Sequence, residues 1–118
     1  MEAKDVYGYR DCLEYAGAEV HAYEEFGSYQ GEWYAKVTWN GNTFWIRDYF
    51  GSCSGCDAFE AEFSWSKEKN DENLKAFAKD YLENPLTQTE AEEMASKNLK
   101  WDMEAETMLA FIKGNAIG

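Results

Sequence analysis

Cys53 and Cys56 make the spacing with the most chemical potential in the chain. A Cys-x-x-Cys pair is half of a tetrahedral zinc site, and Cys12 with His21 would complete a three-cysteine, one-histidine set. At a helix N-terminus the same pair would offer a thiol of lowered pKa, but Asp57, Glu60 and Glu62 crowd the turn and favour the protonated form. The run Gly51-Ser52-Cys53-Ser54-Gly55-Cys56-Asp57 leaves a strand, so its backbone amides could cradle an anion, although no lysine or arginine lies nearer than Arg47. The reading adopted is a structural turn: Ser54 caps a short helix with Asp57 at its third position, the glycines take unusual angles, and small thiols pack beneath aromatic rings. No metal or other cofactor is expected, and Cys12, His21, Cys53 and Cys56 stay as the alternative ligand set.

His21 is the sole histidine, so imidazole catalysis has one available base. It falls in a predicted strand beside Val20 and Tyr23, where a surface or internally satisfied ring is the expectation. The pairs Glu24-Glu25 and Glu92-Glu93 are consecutive, which sends their carboxylates to different faces and does not make a two-carboxylate site. With no phosphate loop, dinucleotide fingerprint, HExxH or calcium loop in the sequence, an enzyme is not expected.

The elements that must position these residues read as α+β. Trp33, Ala35, Val37 and Trp39 alternate with Tyr34, Lys36 and Thr38, the period of a half-buried strand, and Asn40-Gly41 supplies the positive φ angles of a tight reversal into a second run, Thr43 to Phe50. This central hairpin, about 32–50, is joined by a strand near 20–29, while residues 6–15 fit strand or helix equally. After Trp65 the vocabulary turns to Lys, Glu, Ala, Leu and Asn. Leu74, Phe77, Ala78, Tyr81 and Leu82 form a helical stripe that Asn84-Pro85 ends. Thr89 with Glu92 reads as a capping box, and the stripe from Ala91 through Met94, Ala95, Asn98, Trp101, Ala105, Met108, Leu109 and Ile112 predicts one long helix to Gly114, or two with a break near Asp102. The expectation is one domain over 1–118, β-rich to 66 and helical from 67, with two or three C-terminal helices packed on one face of an antiparallel sheet.

Charge narrows the function classes. Twenty-three acidic against eleven basic side chains leave −12 and a pI near 4.4, so the field repels nucleic-acid phosphates and anionic membranes. Residues 1–32 hold eight acids and two bases, namely Glu2, Asp5, Asp11, Glu14, Glu19, Glu24, Glu25 and Glu32 against Lys4 and Arg10. The C-terminal helices are mixed in sign, with Glu93 four residues before Lys97 and Lys100 before Glu104. Met1 to Asp5 shows no targeting pattern, no run approaches the ~18 apolar residues of a membrane span, and three cysteines cannot all pair within one chain. A cytoplasmic protein in a reducing compartment is the expectation.

Gly27-Ser28-Tyr29-Gln30-Gly31, followed by Gly51-Ser52-Cys53-Ser54-Gly55-Cys56-Asp57-Ala58, resembles a group of small uncharacterised phage and prophage proteins that share both signatures. The resemblance covers roughly 20–64. It implies a phage origin, with the host cytoplasm as compartment, and carries no chemistry with it.

Taken with the charge, this leads to an expected acidic binding protein that inhibits a host protein with a basic surface, such as a nucleic-acid-binding defence nuclease. That would be an anti-restriction or anti-CRISPR-like role, with carboxylates mimicking a phosphate backbone. The partner-binding residues expected are Glu19, Glu24, Glu25 and Glu32, with Tyr34, Trp45 and Tyr49 if the second sheet face is open. The alternative is an accessory or structural phage protein that oligomerises, as a homodimer for instance, through that aromatic face. A small enzyme or zinc-stabilised module on Cys53 and Cys56 is the third reading.

Overall fold

The computed structural model describes residues 2–27, 31–51, 59, 62–63, 68–97 and 102–117. Three strands, β1 (Glu19–Gly27), β2 (Gly31–Trp39) and β3 (Asn42–Phe50), form an antiparallel meander in the order β1-β2-β3. At the predicted reversal Asn40 has φ 53° and Gly41 φ 81°, and Trp39 faces Asn42 across the two-residue loop. Both central residues are left-handed, the geometry that matches the twist of the flanking strands. The β1–β2 connection uses glycine differently. Gly27 has φ 122°, and a Cβ on Gly31 would run into the carbonyl oxygen of Phe26, so the last glycine of the first signature is required by close backbone approach.

Residues 6–15, ambiguous in sequence, contain the helix α1 (Tyr9–Tyr15), preceded by a 3-10 turn at Ala3–Asp5. After the sheet come α2 (Asp71–Leu82), α3 (Gln88–Ser96) and α4 (Asp102–Gly114). Asn70 caps α2 by accepting from the Asn73 amide at 2.9 Å, and Leu74, Ala78 and Leu82 form its buried stripe. The second helical stretch divides in two, as the break near Asp102 allows. Its capping box lies at Thr87 and Glu90, not Thr89 and Glu92. The chain is pinned one residue earlier, where Leu86 exchanges both backbone hydrogen bonds with Trp45 on the outer edge of β3 (2.9 and 2.7 Å), and the helix starts directly after that anchor.

The helices cover both faces of the sheet, where one covered face was expected. On the first face Trp33, Ala35, Val37 and Ile46 pack against Tyr9, Cys12 and Leu13 of α1 and Leu74, Ala78 and Leu82 of α2. On the second, Phe26, Tyr34 and Trp45 pack against Ala91 and Ala95 of α3 and Met108 and Ile112 of α4. Ala91 and Ala95 are one helical turn apart and wholly buried, so α3 comes close to the sheet and to α4. The aromatic content that exceeds one face of a hairpin is thereby absorbed by two layers, and β2 is buried on both sides. No helix among the described residues is long and apolar enough to cross a membrane.

Candidate functional site

The register of the sheet divides the expected partner-binding residues into two groups. Glu19, Glu24 and Glu25 lie on the edge strand β1, all exposed. Glu24 stands opposite Tyr34 and Glu25 opposite Trp33, which places the two carboxylates on opposite faces of the rim. Glu25 accepts a 2.7 Å hydrogen bond from the Tyr23 hydroxyl, and neither Glu24 nor Glu25 has an ion-pair partner among the described residues.

Glu32, Tyr34 and Trp45 are corrected from surface to interior. Tyr34 and Trp45 are 0% exposed because α3 and α4 cover the face on which an open aromatic surface was expected. Trp45 donates its indole N–H to Gln88 Oε1 at 2.7 Å and meets Phe111 edge-on, while Tyr34 meets Phe26 in the same way. Glu32, 5% exposed, pairs with Arg47, its diagonal neighbour on β3, so its charge is neutralised inside the fold. Glu32 Oε2, Arg47 Nε and Tyr34 Oη are buried there without hydrogen-bond partners among the described residues. Burial, with the Glu32 charge adding to it, pushes the Tyr34 hydroxyl up to about 12. Tyr49 stays outside: it is 60% exposed, with the Arg47 guanidinium 4.6 Å from its ring centre. Of the expected partner-binding residues, Glu19, Glu24, Glu25 and Tyr49 face solvent.

Of the alternative zinc set, Cys12 and His21 are among the described residues, and they lie apart. Cys12 is buried beneath α2, its thiol 3.2 Å from the carbonyl of Leu74, and burial pushes it up to about 12. His21 lies on the other side of the sheet, bonded to Thr38. Cys53 and Cys56, with Ser54, Asp57 and Glu60, lie outside the described residues, as do Ser28, Tyr29, Gln30, Asn98 and Trp101.

His21 belongs to an arrangement that sequence reasoning missed. Val20 faces Val37 and Ala22 faces Lys36, so His21 is the extra residue of a β-bulge. The bulge puts His21 on the face of Glu19 and Thr38. His21 Nε2 is 2.7 Å from Thr38 Oγ1, His21 Nδ1 is 3.9 Å from Glu19 Oε1, and Thr38 Oγ1 is 2.7 Å from Thr43 Oγ1. The legible part of the signal was the hairpin: a two-residue loop at 40–41 makes Thr38 and Thr43 direct cross-strand partners. Beside Thr43 lies a groove of about 340 Å³, with Phe44, Pro85, Leu86 and Ile117 as its apolar wall and Thr87 and Gln88 at its polar end.

No protein-family model matches the chain, and neither a curated protein nor a solved structure is significantly similar to it.

Proposed function

We propose that this chain is a small acidic binding protein that occupies the basic surface of a partner, of the kind nucleic-acid-binding nucleases present, and so inhibits it. The observation that carries the reading is the edge strand β1, where Glu19, Glu24 and Glu25 are exposed and Glu24 and Glu25 have no ion pair among the described residues. With a net charge of −12, uncompensated carboxylates on both faces of one rim steer a cationic surface toward it. Tyr49 adds a rigid aromatic contact of the type that dominates interface energetics, because Arg47 and Glu32 hold its position from beneath. A phage origin and a host defence target rest on the resemblance of the two glycine-rich signatures.

Oligomerisation through the aromatic sheet face loses its surface, since Tyr34 and Trp45 lie under α3 and α4. The test is capture from a bacterial host lysate by the immobilised protein at low salt, followed by salt elution, in parallel with Glu24→Lys/Glu25→Lys. A basic nucleic-acid-binding protein released by salt is expected, with association slowed and binding weakened by about 2 kcal/mol or more in the double variant. Capture that is indifferent to salt and to the double reversal refutes the reading.

A further inference from the structure

A cross-strand threonine pair is ordinary sheet chemistry. Two further observations set this one apart: the bulge that brings His21 and Glu19 into line with it, and the groove that borders Thr43. Glu19, His21 and Thr38 stand in the order carboxylate, imidazole, hydroxyl, the order that activates an oxygen nucleophile by removing its proton. His21 Nδ1 stands 3.9 Å from Glu19 Oε1, within charge-pairing range but beyond hydrogen-bond length; in the tautomer that carries its proton on Nδ1, Nε2 is the ring's acceptor and the Thr38 hydroxyl donates to it. The Thr38 oxygen is then left to accept from the Thr43 hydroxyl. The direction of the chain makes Thr43, at the groove, the terminal oxygen.

The backbone supports the same end of the line. Trp45 directs its N–H and C=O away from β2 to Leu86, and groups two residues apart in a strand point the same way. The Thr43 amide is therefore directed outward, toward the side on which Pro85 and Leu86 run, where it can donate to a negative oxygen developing beside Thr43 Oγ1. Lys36, on the same face as Thr38 and without an ion pair among the described residues, adds a positive charge near the line. The groove volume lies at the lower end of what small-molecule sites use, and its wall suits a short apolar acyl chain.

We infer that Glu19, His21, Thr38 and Thr43, together with the groove of Phe44, Pro85, Leu86 and Ile117, form an acyl-transfer site for small apolar esters. Thr43 Oγ1 attacks the ester carbonyl carbon while its proton passes to Thr38 Oγ1 and the Thr38 proton passes to His21 Nε2. The bond from the acyl carbon to the leaving oxygen breaks, and the imidazolium returns the proton through Thr38 to the leaving alkoxide. Water then attacks the Thr43 ester along the same route, so that ester and water become acid and alcohol. Thr43 is the catalytic residue, and Glu19, His21 and Thr38 are positioning and relay residues.

The experiment is hydrolysis of p-nitrophenyl butyrate by the full chain, with peptide mass mapping of the butyrylated intermediate. Hydrolysis above the buffer rate is expected, with the butyryl group on Thr43. Thr43→Val and His21→Ala each lower the rate on the order of 10²-fold, the usual contribution of positioned proton transfer. Thr43→Ser and Thr38→Ser retain it, Thr38→Val does not, and added imidazole restores His21→Ala. All five variants alter exposed or partly exposed side chains, and unchanged melting curves separate lost chemistry from lost fold. A rate equal to buffer overturns the inference. So does a Thr43→Val variant that keeps its rate while His21→Ala loses it, because a lone imidazole then does the chemistry. Butyryl groups found only on lysines overturn it as well. None of these outcomes bears on salt-dependent capture of a basic partner.

Discussion

Removing one member of the Glu32–Arg47 pair should cost far more than removing both. The two side chains are 7% and 12% exposed, so each has given up nearly all of its hydration, and each already has one polar atom without a hydrogen bond among the described residues. Arg47→Met leaves the Glu32 carboxylate buried without a cation, a change that costs about 3–5 kcal/mol. At about 4 °C per kcal/mol for a chain of this length, the melting temperature should fall by roughly 12–20 °C. Glu32→Leu/Arg47→Met removes both charges together with the unsatisfied Glu32 Oε2 and Arg47 Nε, and should lie within about 1 kcal/mol of the parent or above it. The stacking of Arg47 on Tyr49 is lost in both variants, so it cancels from the coupling between the two positions. Urea denaturation of the parent, the two single variants and the double variant at neutral pH measures the cycle. A cost under about 1 kcal/mol for Arg47→Met, the value of a surface ion pair, would refute the claim that α3 and α4 seal this face.

Two further outcomes follow from the backbone and from burial. Gly31→Ala should destabilise by about 3 kcal/mol or more in the same urea assay, because the new methyl meets the Phe26 carbonyl of the backbone and no side chain can move to relieve it; a loss below about 1 kcal/mol would show that the β1–β2 connection is looser than described. Cys12, raised from 9.0 to about 12 by burial, stabilises the fold fully below its unfolded pKa, and that contribution is lost as pH rises from about 9 through about 12; Cys12→Ala should flatten this alkaline limb, while Tyr34, raised from 10.0, leaves a residual slope above about 10.

The elements were legible where one local rule had one solution. Alternation from Trp33 to Trp39 and the Asn40-Gly41 pair determine the hairpin register completely, because side chains switch faces at every residue. The α2 stripe is as clear, since Leu74, Ala78 and Leu82 are i, i+4 and i+8. The α3 start was not, because Thr87-Gln88-Thr89-Glu90 and Thr89-Glu90-Ala91-Glu92 both satisfy the capping-box pattern. The choice between them is tertiary: Leu86 must reach the edge of β3. The same limit hid the second helical layer. Tyr34 and Trp45 alternate with Trp33 and Ile46 whether their face is bare or covered, and the burial of α3 and α4 reveals itself only in Ala91, Ala95, Met108 and Ile112 meeting that face. The bulge at His21 has no sequence rule at all, so neither the histidine's face nor its line to Thr38 could be read in advance.

Covering both faces of the sheet leaves its rim as the part of it most open to solvent. With Trp33 sealed by α1 and α2 and Tyr34 by α3 and α4, the most exposed ring of the sheet is Tyr49. An edge strand bare of charge would invite pairing with other chains, and carboxylates are one of the devices that prevent it. On β1, the exposed Glu19, Glu24 and Glu25 place such charges along the edge, and on the proposed function the same carboxylates would meet a cationic partner surface. The buried Glu32 does neither, because Arg47 has already taken its charge. Acid content alone does not separate these positions; the difference between an exposed carboxylate at position 25 and a paired one at position 32 is set by their places in the packed sheet, one on the edge strand and one on the central strand beside Arg47.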